Sequence, residues 1–219
     1  MFKPFLKKLK MRGTLYLDKI LHSLKLNAFV NEPVIFISEK NDWAIKYVGQ
    51  NITDSVNKSN SGFMKITTLP KYYQNKVIHF GSQYMWVDWW KILPKNNNYV
   101  VSFFHGKKED GKEVEKHINK FIESIATLKK IIVSSTIVKE RLLLWGVPPD
   151  KVCLIPIGVN NNHFKPTTAL KKESIRKEYG ITMPSIVIGS FQKDGVGWQN
   201  GDIPKMIKGP DIFIKVLKI

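Results

Sequence analysis

Cysteine is almost absent from this chain: Cys153 is the single one in 219 residues. An internal disulfide is therefore excluded. A lone thiol inside the apolar run KVCLIPIGV suits a reducing compartment and a packing role. Acidic residues are also few, 18 Asp and Glu against 35 Lys and Arg, for a formal charge of +17. That excess favours phosphate-bearing substrates, acidic lipid head groups or nucleic acid. Lysine far outnumbers arginine, however, and a lysine-rich composition gives such a charge without any partner. No apolar run reaches the ~18 residues of a membrane span. No Gly-x-Gly-x-x-Gly follows the first strand-like run, which argues against a dinucleotide enzyme. No Asp-x-Asp and no metal-ligand spacing occurs, so neither a metal nor a cofactor is expected. RNP-like, zinc-finger and helix-turn-helix signatures are missing as well, which disfavours nucleic acid.

What is present is enough apolar matter for a core, 43% of residues with 11% aromatic. Short β-branched runs at PVIFIS (33–38), FMKITTL (63–69), KVIHF (76–80), YVVSFF (99–104), KIIVSS (130–135) and KVCLIPIGV (151–159) predict buried strands. Val114, Ile118, Phe121, Ile122 and Ile125 recur at helical spacing within 109–128, and TIVKERLLLW (136–145) predicts a helix stopped by Gly146. Strands alternating with helices predict an α/β fold with a mostly parallel sheet, whose ligands bind at the carboxyl ends of the strands. Those ends carry Ser38 to Trp43, Gly81-Ser82-Gln83, His105-Gly106-Lys107, Ser134-Ser135 and Gly158-Val159-Asn160. They are small, polar or ionisable, as a ligand-facing rim requires. The tryptophans Trp43, Trp86, Trp89 and Trp90 suit core packing first and an acceptor site or membrane interface second. His79 reads as a buried structural histidine.

Residues 1–32 form a basic amphipathic segment in which Phe2, Phe5, Leu6, Leu9, Leu15, Leu17, Ile20, Leu21, Leu24 and Leu26 interleave with lysines. It lacks the apolar h-region and cleavage site of a secretory signal. It can lie on an anionic membrane surface, although Pro4 and Gly13 are expected to break a long helix. Residues 160–172, NNNHFKPTTALKK, read as a linker. KKESIRKEYGI then predicts a short helix capped by Gly180, and MPSIVIGS a strand of a second α/β unit. At 208–211, Lys-Gly-Pro-Asp predicts a helix start. The expected division is 33–165 for the first domain and 166–219 for a linker and the opening of a second.

The ordered run KKIIVSSTIVKERLLLWGVPPDKVCLIPIGVNNNHFKP, 129–166, carries more. A strand ending in Ser-Ser, a helix, Gly-Val, Lys-Val, Ile-Pro-Ile-Gly-Val, then Phe164 and Pro166 resembles the end of the N-terminal domain in family-4 glycosyltransferases of the GT-B fold. IGSFQKDGVGWQNGDIPKMIKGPDIFIKV resembles the opening of that family's C-terminal domain. The resemblance covers about 33–219. It implies a Rossmann-like parallel sheet flanked by helices with an incomplete second α/β domain, and retaining transfer from a nucleotide-sugar donor to a glycan or lipid acceptor. It implies that Lys193 and Lys208, with Gly189 and Gly209, contact donor phosphate, and that His105 lies at the transferred sugar. Asn41, Trp43, Gly81 and Ser82 are the acceptor-side candidates. A cytoplasmic protein, peripheral at the inner face of the membrane, is the matching location.

The chain departs from the family in three places. EKNDWAIKYVGQN (39–51) stands where the Gly-Gly acceptor loop is expected, and Asn160 replaces the usual Asp. The Glu-x7-Glu segment that holds donor sugar and ribose would fall beyond Ile219, so this chain alone is expected to be inactive or nearly so. The competing reading is a non-enzymatic basic α/β module that binds nucleic acid or anionic membrane.

Overall fold

The structure, a computed structural model, describes residues 2–24, 31–182, 184–189 and 209–217. The described chain forms two compact units, Met1–Asn161 and Asn162–Ile219.

In the first unit six strands form one all-parallel sheet: β1 (Val34–Ile37), β2 (Met64–Thr67), β3 (Val77–Phe80), β4 (Asn98–Ser102), β5 (Leu128–Val133) and β6 (Val152–Leu154). Their order is β2-β1-β3-β4-β5-β6. The helices are α1 (Phe2–Ser23), α2 (Ala44–Ser59), α3 (Gln83–Trp89), α4 (Lys112–Glu123) and α5 (Thr136–Leu144). This is a Rossmann-like α/β fold.

Strand alternation sorts the side chains onto two faces. Ile35, Ile37, Ile78, Phe80, Val101, Phe103, Ile131 and Val133 point to one face, where Trp86 of α3, Phe121 of α4, and Val138 and Leu142 of α5 complete the core. Trp86 is fully buried there, and its indole N–H donates to Ser124 Oγ at 2.6 Å. The alternate position Phe36 faces α2, whose Gly49 sits directly over the ring: a Cβ at 49 would come within 2.4 Å of it.

Local chemistry fixes the helix ends. Ser82 caps α3 by accepting from Tyr84 N–H at 3.2 Å, and Ser135 caps α5 by accepting from Val138 N–H at 3.3 Å. Gly146 ends α5 with φ +82°, a left-handed conformation that glycine adopts without strain.

Three sequence expectations change. The segment 2–23 is one unbroken helix: Pro4 falls in the first turn, where its missing N–H has no partner to lose, and Gly13 costs only about 1 kcal/mol. Residues 44–51, within the segment that stands in place of the Gly-Gly loop, form the start of α2. The sixth strand ends at Leu154, because Ile155, Ile157 and Val159 are more than half exposed and only Ile155 N–H continues the ladder. In the second unit, residues 186–189 form no strand: Ile186, Val187 and Ile188 are exposed and no strand pairs with them among the described residues.

That unit contains α6 (Ala169–Glu178), capped by Thr168 and followed by Gly180 at φ +64°, and α7 (Pro210–Leu217). Pro210 opens α7 directly after Gly209, whose φ is +69°.

Candidate active site at the carboxyl edge of the sheet

A parallel sheet offers its ligand site outside the carboxyl ends of its strands, where the chain reverses direction across the sheet. Here that point lies between β1 and β3, since β2 lies on one side of β1 and all later strands on the other. Ile37 and Phe80 end the two strands in register, and Gly81 N–H donates to Ile37 O at 2.9 Å. Gln83 Nε2 donates to His105 O at 3.0 Å, joining the segment after β4 to the same edge. The sheet thus brings Asn41, Trp43, Gly81, Ser82 and His105 to one edge.

Each of these residues has a definable local role. Gly81 is buried, and a Cβ there would meet the Phe36 ring at 2.8 Å and Ile45 Cγ2 at 2.9 Å, so the position is held to glycine by packing. Ser82 is buried and spends its hydroxyl on the α3 cap. Asn41 is exposed, and Trp43 is half-buried at the N-cap of α2 without capping it through its side chain. His105 is exposed, with its ring 5.9 Å from that of Tyr84.

Sequence reasoning missed three features of this edge. Tyr84 stacks on His117 of α4, with centroids 4.2 Å apart and planes at 20°. Burial lowers the His117 pKa against a raising effect from Asp88, and its Nε2 is enclosed without a hydrogen-bond partner. Burial raises the Tyr84 hydroxyl, and Asp110 adds to this. The result is an uncharged ring stack behind His105. Glu39 is the second feature: it is half-buried, its Oε2 is enclosed without a partner, and desolvation raises its pKa. The third is the partner of the structural histidine named from the sequence: inside the sheet His79 Nε2 lies 2.9 Å from Ser102 Oγ, with Phe36 edge-on to the imidazole at 4.7 Å. Burial lowers the His79 pKa to about 4, so its ring is neutral.

The candidate donor-side residues are not part of the first unit. Gly189 and Gly209 belong to the second unit, and Lys193 and Lys208 lie outside the described residues. Among the described residues no three His, Cys, Asp or Glu side chains converge as a metal site would need. A separate cleft of about 550 Å³ opens at the amino edge of the sheet between α1 and the loops preceding β3 and β4, lined by Arg12, Lys19, Tyr72 and Lys95.

The ordered run 129–166 can now be read physically. Ser134-Ser135 end β5 and cap α5, Gly146 closes α5, and Val147 is buried. Lys151 Nζ donates to Ile125 O and Leu128 O, both at 2.8 Å, ahead of β6. Each forms a turn or a join of the sheet. The run therefore speaks first for the fold. No family model, curated protein or solved structure matches the chain.

Proposed function

We propose that this protein is a GT-B-type retaining glycosyltransferase chain that takes a sugar from a nucleotide-sugar donor to a glycan or lipid acceptor. One observation carries the reading: the ordered run 129–166, which resembles family-4 glycosyltransferases, falls on β5, α5 and β6 of an all-parallel six-stranded sheet that a second unit follows. The acceptor rests against Asn41 and Trp43, while Gly81 and Ser82, both buried, shape the edge beneath it by close packing and by capping α3. His105 faces the transferred sugar, and Tyr84 and His117 form the uncharged wall behind it. Lys193 and Lys208 offset the charge of the departing nucleoside diphosphate, whose phosphates approach the backbone at Gly189 and Gly209. Gly209 suits close approach because it has no Cβ and holds a positive φ.

The test is saturation-transfer NMR with a panel of uridine, guanosine and adenosine diphosphate sugars. At least one should bind saturably. Lys208→Ala should weaken it about tenfold, the worth of one charge-assisted phosphate contact. No saturable binding by any nucleotide-sugar in the millimolar range would refute the reading.

A further inference from the structure

We propose that α1 is a docking face for an anionic lipid bilayer, an inference that does not depend on sugar transfer. The helix has two apolar faces. The inner one is spent on the domain: Met11 and Leu15 are buried, and Asp18 accepts from the Tyr72 backbone N–H. His22 meets the Tyr72 ring edge-on at 5.8 Å. The outer face carries Leu6, Leu9, Tyr16, Leu17, Ile20 and Leu24, exposed by 56%, 57%, 67%, 57%, 39% and 61%. At about 100° per residue these six fall within an arc of about 100°, almost opposite Met11 and Leu15. A helix that only packed on its own domain would turn this arc polar.

Charge identifies what covers the arc. Lys10 flanks it on one side, and Arg12 and Lys19 on the other; all three are exposed. Asp18 is the only carboxylate between residues 2 and 24, and it is turned inward. The charge that the described residues place on the water-facing flanks is thus positive only. Arg12, Lys19 and Lys95 also line the cleft of about 550 Å³, and Tyr16 of the apolar arc lines it too. An apolar stripe bordered by cations, with a cationic cleft beside it, complements acyl chains below anionic head groups. A second copy of this chain would bring the same positive flanks against these, in a protein already at +17. A nucleic acid would meet leucines at the centre of the contact. No helix among the described residues is long and apolar enough to cross a membrane, so the contact is interfacial.

The experiment is co-sedimentation of the full chain with vesicles of phosphatidylcholine containing phosphatidylglycerol, compared with phosphatidylcholine alone. Binding should be at least tenfold tighter to the anionic vesicles. The double variant Leu9→Asp, Leu17→Asp should lose tenfold or more while keeping the wild-type circular dichroism, since both side chains are exposed. Each of Lys10→Ala and Lys19→Ala should lose about fivefold. Tyr16→Trp should show a blue-shifted emission on anionic vesicles only. Three results would each overturn the proposal: no binding to anionic vesicles, binding unchanged in the double variant, or a lipid-independent dimer dissolved by the same two substitutions.

Discussion

His79 makes the stability of the first unit depend on pH in a defined window. Its ring sits in the sheet between the Phe36 edge and Ser102 Oγ, and burial lowers its pKa from the ordinary 6.5 to about 4. Above pH 6.5 the imidazole is neutral in both folded and unfolded chains, and stability is full. Between 6.5 and about 4 the unfolded chain takes a proton that the folded one refuses, so stability falls with pH. Below about 4 both are charged and the loss is complete. At 1.36 kcal/mol per tenfold change, the loss has a ceiling of about 3 kcal/mol, with a steepest slope of about 1.4 kcal/mol per pH unit. The ceiling is not reached in full because His79 retains partial solvent access. The assay is urea denaturation from pH 7.5 to 4 on wild type and His79→Gln. Glutamine keeps a polar reach toward Ser102 and does not titrate. Other groups titrate equally in both proteins, so the difference between the two curves isolates residue 79. Wild type should lose about 2–3 kcal/mol more than the variant between pH 6.5 and 4. Parallel curves would refute the reasoning.

Glu39→Gln should stabilise the chain at pH 7. Burial raises the carboxyl pKa, so the folded state resists ionisation and the wild-type deficit should appear as pH rises above the ordinary carboxylate range; an advantage of the variant over wild type no larger at pH 7 than at pH 4 would contradict this. Gly49→Ala should cost about 1–3 kcal/mol in denaturant unfolding, since its Cβ would overlap the Phe36 ring at 2.4 Å, and an unchanged midpoint would show that the ring gives way freely. Ser135→Ala removes the α5 cap and should cost about 1 kcal/mol, whereas Ser135→Asp should restore most of it.

The sheet was legible in the sequence because its strands are short apolar runs, β-branched at Val34, Ile35, Ile78, Val101 and Ile131, and all but β6 end in or beside small or polar residues. Gly146 marked the end of α5 because only the left-handed conformation closes that helix cheaply. The second unit was harder to read. IVIGS has strand composition, but composition does not supply a partner edge, and residues 186–188 have none among the described residues. Pro4 misled because a proline breaks a helix only when its position within the helix demands an N–H. At the candidate site, the edge residues followed from counting strand ends. The Tyr84–His117 stack did not, because it depends on how α3 and α4 pack, which no local pattern encodes. The partnerless oxygen of Glu39 was equally invisible, since Glu39 is one polar residue among several in that segment.

The most direct test of the ligand edge is a backbone amide NMR titration of the whole chain with the tightest-binding nucleotide-sugar and a glycan fragment. The account predicts that the first unit responds at residues 38–43, 81–84 and 105–107. Shifts confined to the amino edge around 94–96, or no shifts with any sugar nucleotide, would contradict it.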